Sequence, residues 1–213
     1  MTESKTDFSM ILSEDERTHH KTVIQIPVTP DTKGPKTIAI FLILGALLIG
    51  FMAYQDYSYS RLEDIPDSDV EQLLETPNSQ DGVNITNEQY QDFHDDARDS
   101  GAYDIRAASL FIASVLLLVG AIYLLQLRAI GSILATIGAS IGFLGGIIGS
   151  YLVNEASIDN LAEPLLLTYE LFMYLCGVCM FVCTAFAALP LVNARSRAAL
   201  IKNNKVEIIT ESE

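Results

Sequence analysis

The sequence has no tryptophan and only three cysteines, Cys176, Cys179 and Cys183, all inside one apolar run. A small domain stapled by disulfides needs cysteines spread through its loops, so that class is excluded. Basic residues are scarce as well. There are 13 Lys and Arg against 27 Asp and Glu, a formal net charge of −14. That balance argues against nucleic-acid binding, which rests on neutralising phosphates. The three histidines lie outside every apolar run. The cysteines therefore lack the fourth ligand that a zinc or iron–sulfur site usually takes. Their spacing of i, i+3 and i+7 puts them on one helix face, where Cys also serves as a small packable residue. No triad of nucleophile, base and acid is recognisable, and "GFLGG" at 142–146 follows no strand, so it is no phosphate loop. Neither an enzymatic activity nor a metal or cofactor is expected. Lipid-anchor motifs are missing too: position 2 is Thr and the chain ends "ITESE".

What the chain does have is segregation. Half of its residues are hydrophobic, and they gather in long runs with almost no charge. About 18 or more consecutive apolar residues mark a candidate transmembrane helix, since ~20 residues at ~1.5 Å each cross a ~30 Å hydrocarbon core. Four runs qualify: 37–54, 107–127, 129–153 and 165–192. None alternates with period two, so helices rather than barrel strands are expected. The first run starts too far along the chain for a cleavable signal peptide. The expected fold is an all-α membrane protein, a four-transmembrane-helix bundle with a mostly helical acidic outer loop.

Orientation follows from Lys and Arg in the short flanks. Lys21, Lys33 and Lys36 precede the first run, Arg128 links the second and third, and Arg195, Arg197, Lys202 and Lys205 follow the fourth. On the other side, residues 54–105 hold 14 Asp and Glu against two Arg, and 154–164 add Glu155, Asp159 and Glu163. The reading is a multi-pass protein of the cell membrane with both termini cytoplasmic. The tails are 1–36 and 193–213, and the outer loops are 55–106 and 154–164. Eight of the nine tyrosines fall on the outer side, a one-sided version of the usual interfacial belt.

The soluble parts are modest. In the first tail, Ser13 and Glu16 have capping-box spacing, and "TVIQIPV" at 22–28 has weak strand character. In the large loop, 67–75 and the stretch after Thr86 or Asn87 read as helices, with "TPNSQDG" as a turn between them. So few large apolar residues predict a thin cap lying on the bundle rather than a separate domain. "NIT" at 84–86 is a glycosylation sequon. The acidic stretches 64–71 and 92–104 lack the EF-hand pattern and read as solvated surface.

Two features stand out inside the runs. The first is a face of small residues on the third: Gly131, Ala135, Gly138, Gly142, Gly145, Gly146 and Gly149 fall within an arc of about 100°, taking ~100° per residue. Gly138, Gly142 and Gly146 form a small-xxx-small ladder, the pattern through which membrane helices approach closely. Its partner is either the second span, joined through the very short link at Arg128, or a helix of another copy or another protein. The second feature is Glu170, the acidic residue inside the fourth run. An intramembrane carboxylate suggests a functional polar site, though from so near the helix start it can also reach the outer interface.

The layout of four spans, cytoplasmic termini and a long first outer loop resembles that of claudin-like tetraspan proteins. Those carry a Trp and paired Cys in that loop, and this chain has neither. The Cys-Cys-Gly of tetraspanins is also missing, and no family is assigned. The function expected is that of a non-enzymatic structural or assembly protein, working in the lipid bilayer with itself or with a partner membrane protein. The alternative is a small channel or transporter subunit that uses Glu170.

Overall fold

The computed structural model of the chain describes residues 29–80, 82–163 and 165–201. The Ser13–Glu16 box, the 22–28 stretch and the chain beyond 201 lie outside the described residues. Within them there are six helices and no strand: α1 (Lys33–Arg61), α2 (Asp67–Asn78), α3 (Asn87–Asp99), α4 (Ala102–Leu125), α5 (Ala129–Asn160) and α6 (Leu165–Val192). A short helical segment, 194–201, follows α6.

Helices α1, α4, α5 and α6 are each long and apolar enough to cross a membrane. Three of them outrun their apolar stretches. Helix α1 covers 33–61 rather than 37–54, α4 starts at Ala102 rather than Ala107, and α5 continues to Asn160 rather than Val153. Hydropathy marks the part suited to hydrocarbon, but a helix propagates as long as packing rewards it. Asp56, Tyr103 and Ser157 lie in these extensions and all are buried.

The long helices stand in a row. Helix α1 packs on α4, α4 on α5 and α5 on α6, while α1 and α6 touch little. Burial follows position: 39% and 44% of the apolar windows of α4 and α5 are buried, against 28% and 17% for α1 and α6. The buried stripe of α1 is Pro35, Ala39, Leu42, Ala46, Ile49, Ala53 and Asp56. Those steps alternate four and three, a 3.5-residue repeat that keeps one seam against one neighbour. Buried serines tie the row together. Ser114 Oγ donates to the Ala46 carbonyl at 2.8 Å, joining α4 to α1, and Ser132 Oγ donates to the Ala187 carbonyl at 2.7 Å, joining α5 to α6. In apolar surroundings each such bond contributes roughly 0.6–2 kcal/mol.

The α4–α5 turn is tight. Arg128 N–H reaches the Tyr123 carbonyl and Leu127 N–H the Leu124 carbonyl, both at 3.0 Å. This is the pairing of a Schellman motif, with Leu127 in the left-handed position at φ 59°. A Leu there costs about 1–2 kcal/mol relative to right-handed backbone. The three-residue reversal brings α5 back along α4. At the other end Gly101, at φ 74°, turns α3 directly into α4. Glycine carries that conformation without steric cost.

Candidate functional sites

The seam between α4 and α5 is made of small residues. Gly131, Ala135, Gly138, Gly142, Gly145, Gly146 and Gly149 are all buried. A Cβ added to Gly138 would lie 2.6 Å from Leu116 Cβ, and one at Gly142 would lie 2.8 Å from both Ala113 Cβ and Met180 Cε. At Gly145 it would collide with Ser109, and at Gly149 it would lie 2.9 Å from Arg106 Cβ. Paired numbers sum to about 255 along the whole seam, so the helices run antiparallel in constant register. The residues against α4 are 131, 135, 138, 142, 145 and 149, which again alternate four and three. Gly146, the third rung of the ladder read from sequence, lies off this seam. Its nearest neighbour is Cys176 Sγ of α6, 3.8 Å from an added Cβ. The single small face is therefore divided between two neighbours.

At the cap end of α1 and α4 sits an ion pair. Arg106 Nε donates to Asp56 Oδ2 at 2.8 Å, and Arg106 Nη2 donates to Asp56 Oδ1. The Asp56 side chain is 6% exposed and that of Arg106 25%. Asp56 occupies the position after Ala53 in the α1 stripe. Arg106 runs its stem over Gly149, so one residue is held in both seams. Sequence reasoning placed both in the acidic loop. The signal that finds them is the 3.5-residue repeat continued past the apolar run.

Helices α2 and α3 form a thin cap over the same end. Thr86 caps α3, its hydroxyl accepting from Gln89 N–H at 3.2 Å while the Gln89 side chain accepts from Thr86 N–H at 3.0 Å. Two side-chain amides fasten the cap around a small apolar core that includes Ile65, Val70, Leu74, Ile85 and Phe93. Asn78 both donates to and accepts from the backbone of Ile85 at 2.8 Å, and Gln91 grips the backbone of Ile65 in the same two-way fashion. Helix α2 continues through Pro77 to Asn78, further than the turn-like "TPNSQDG" suggests, and that places the Asn78 amide. Arg98 Nη1 donates to the Leu62 and Glu63 carbonyls just past the end of α1 at 2.9 and 2.7 Å, where a cation also complements the helix dipole.

The cap core is aromatic. Tyr59 and Tyr103 flank His94, with ring centroids 6.3 and 5.5 Å away, and the Phe93 ring packs at a tilt on Tyr169, with centroids 4.9 Å apart. Tyr90 Oη and Tyr169 Oη are 3.2 Å apart. Burial pushes the Tyr90 hydroxyl above its usual range, and the bond to Tyr169 only partly offsets this. His94 is fully buried. Its Nε2 lies 3.2 Å from the Leu62 carbonyl, which can only accept, so Nε2 is the donor, and Nδ1 has no partner among the described residues. The one-sided tyrosines thus divide into two sets. Tyr90, Tyr103 and Tyr169 belong to the cap core, while Tyr54, Tyr57, Tyr59, Tyr151 and Tyr174 are exposed, Tyr59 with its ring against the edge of that core.

No family model, no curated protein and no solved structure matches this chain. Function must therefore be argued from these sites.

Glu170 lies on the exposed face of α6, among Leu167, Leu171 and Tyr174, and makes no hydrogen bond or ion pair among the described residues. It is not brought near Asp56–Arg106 or His94 by any contact. Cys179 is exposed, and Cys176 and Cys183 are half-buried. Among the described residues no three His, Cys, Asp or Glu side chains cluster as a metal site would require. Asn84 of the sequon is exposed, while its Thr86 is occupied in capping α3.

Proposed function

We propose that this chain is a non-enzymatic multi-pass membrane protein whose work is assembly, with α4 and α5 as its internal spine and α1 and α6 presenting faces to the surroundings. One observation carries the reading. Helix α6 packs on α5 along one side only, and Leu171, Phe172, Leu175, Val178 and Phe181 are each more than half exposed. Such a continuous apolar surface is untenable in water and suits lipid or another helix. Close glycine packing of α4 on α5 supports the reading, because it supplies van der Waals contact where burial from water supplies none. Lys and Arg in the flanks favour cytoplasmic termini, with the acidic cap on the opposite side. The channel alternative needs Glu170 to line a polar path. Its position on the outer face of α6 gives that path no second wall within one copy.

The test is extraction in mild detergent, followed by crosslinking and sizing. The expected result is a carbonate-resistant membrane protein that migrates as more than one 213-residue chain. A protein released from membranes by carbonate ends the membrane reading. One that inserts but stays strictly single in every mild detergent and in nanodiscs ends the assembly reading.

A further inference from the structure

Between α1 and α4, on the side away from α5, an open groove of about 520 Å³ runs down from the cap end. Its floor is Gly50, Ala53 and Ala107, residues too small to fill the gap between the helices. Tyr54 and Tyr57 on α1 and Phe111 on α4 are its walls, all more than half exposed. Its mouth carries one charge of each sign, Arg61 on α1 and Asp104 on α4. The two form no ion pair with each other or with any other described residue. The Arg61 guanidinium lies over the Tyr57 ring at 5.2 Å from its centroid, which holds the cation at the mouth.

The dimensions name an occupant. Arg61 and Gly50 are eleven residues apart on one helix, so the groove is ~16 Å long at ~1.5 Å per residue. Half of a ~30 Å hydrocarbon core is ~15 Å. The groove therefore has the length of one leaflet, an apolar floor below and separated opposite charges above. An anionic headgroup would use Arg61 and be repelled by Asp104. A headgroup with a phosphate and an ammonium uses both. A second copy's helix is less suited, because the two charges would have to meet partners of fixed geometry on an apolar segment.

We propose that the groove binds one zwitterionic phospholipid of the cap-side leaflet. An acyl chain lies along Gly50, Ala53 and Ala107, the phosphate sits on Arg61, and the ammonium faces Asp104. This rests on the membrane reading above.

The full chain is reconstituted in vesicles of equal phosphatidylethanolamine and phosphatidylglycerol. It is tested for carbonate resistance, then extracted and washed through detergent, and retained lipid is counted by native mass spectrometry. One phosphatidylethanolamine per chain is expected. Arg61→Glu removes the phosphate partner and Ala108→Trp fills the groove from an exposed position. Arg61→Glu should lower occupancy about tenfold, the equivalent of ~1.4 kcal/mol, and Ala108→Trp should lower it at least as far by taking the space of the acyl chain, both with an unchanged sizing profile. Ile148→Trp, in the separate α5–α6 groove, should leave occupancy as it is. Four results overturn the proposal: no retained lipid, equal retention of phosphatidylglycerol, unchanged occupancy in both groove variants, or a second chain in place of lipid. Loss from the vesicles in carbonate instead overturns the membrane reading itself, which keeps the two failures distinct.

Discussion

The Asp56–Arg106 pair gives the sharpest quantitative expectation. The two partners are not equivalent. With Arg106→Met, the Asp56 carboxylate is left 6% exposed in the α1–α4 seam with its base gone. Breaking a buried pair by removing one partner costs about 3–5 kcal/mol, and nothing nearby relieves it. With Asp56→Leu, the guanidinium left behind already has 25% of its side chain exposed. It can turn toward water, so we expect about 2–3 kcal/mol, below the usual cost of an orphaned buried charge. The double variant replaces both charges with apolar groups in seams that are otherwise apolar, and such replacements are often neutral or better. It should lie within about 1.5 kcal/mol of the native chain. The singles are therefore strongly non-additive, by roughly 3.5 kcal/mol or more, above the usual range for contact pairs because each change strands its partner. The assay is thermal unfolding followed by circular dichroism in one detergent. At about 2–4 °C per kcal/mol for a chain of this size, Arg106→Met should lower the midpoint by about 6–20 °C. Additive singles, or an Asp56→Leu loss larger than that of Arg106→Met, would refute the reasoning, since the exposure difference is its whole basis.

Other expectations are separate from that pair. Gly145→Ala should cost about 1–3 kcal/mol, because its Cβ collides with Ser109, whereas Gly146→Ala has room and should be neutral or up to ~1 kcal/mol stabilising through helix propensity; thermal midpoints of the two variants decide, and equal losses would mean one undivided glycine face. His94→Phe keeps the aromatic packing and removes the unpartnered Nδ1, while Arg98 still bonds the Leu62 carbonyl, so it should stay within ~1 kcal/mol, against about 2–4 kcal/mol for the cavity of His94→Ala. Because burial raises the Tyr90 hydroxyl in the folded cap, its contribution is complete below the unfolded tyrosine value near 10 and is lost as pH rises beyond it. Hydrogen exchange of α2 and α3 should then quicken above pH ~10 in the native chain and less so in Tyr90→Phe. Glu170→Gln should change stability by no more than ~0.5 kcal/mol, as for exposed positions without partners; failure of that variant to fold would reveal a paired carboxylate.

How much of this was written legibly in the chain depends on which force shaped each part. The four long helices were readable because hydrocarbon-crossing length imposes a pattern that no local accident mimics. A cap at Thr86 or Asn87 is readable because its chemistry is local, and the structure places it at Thr86. The cap's other fastenings were not. Asn78 reaches Ile85, Gln91 reaches Ile65 and Arg98 reaches Leu62, and nothing in a one-dimensional pattern pairs an amide with a backbone seven or twenty-six residues away. The one-sided tyrosines read as an interfacial belt because composition does not separate a ring at the interface from one inside a small core.

Asp56 is the instructive miss, because the information was present. Ala39, Leu42, Ala46, Ile49 and Ala53 step by three and four, and small residues dominate them. The next step falls on Asp56 before the chain has turned. Drawing the span's end where hydropathy falls discards that position as loop. Following the repeat instead makes it a carboxylate in a helix seam, and a buried carboxylate calls for a base on the facing helix. The facing helix is α4, antiparallel to α1, with Ser114 opposite Ala46. Moving ten residues on along α1 moves about ten back along α4, to the neighbourhood of residue 104. The basic residue there is Arg106. The same arithmetic carries Arg61 just past the start of α4, so it lies beyond Asp104 along the pair of helices, and both line the open groove. The repeat that closes one pair inside the seam thus leaves the next two charges outside it, facing each other across a gap that the chain itself does not fill.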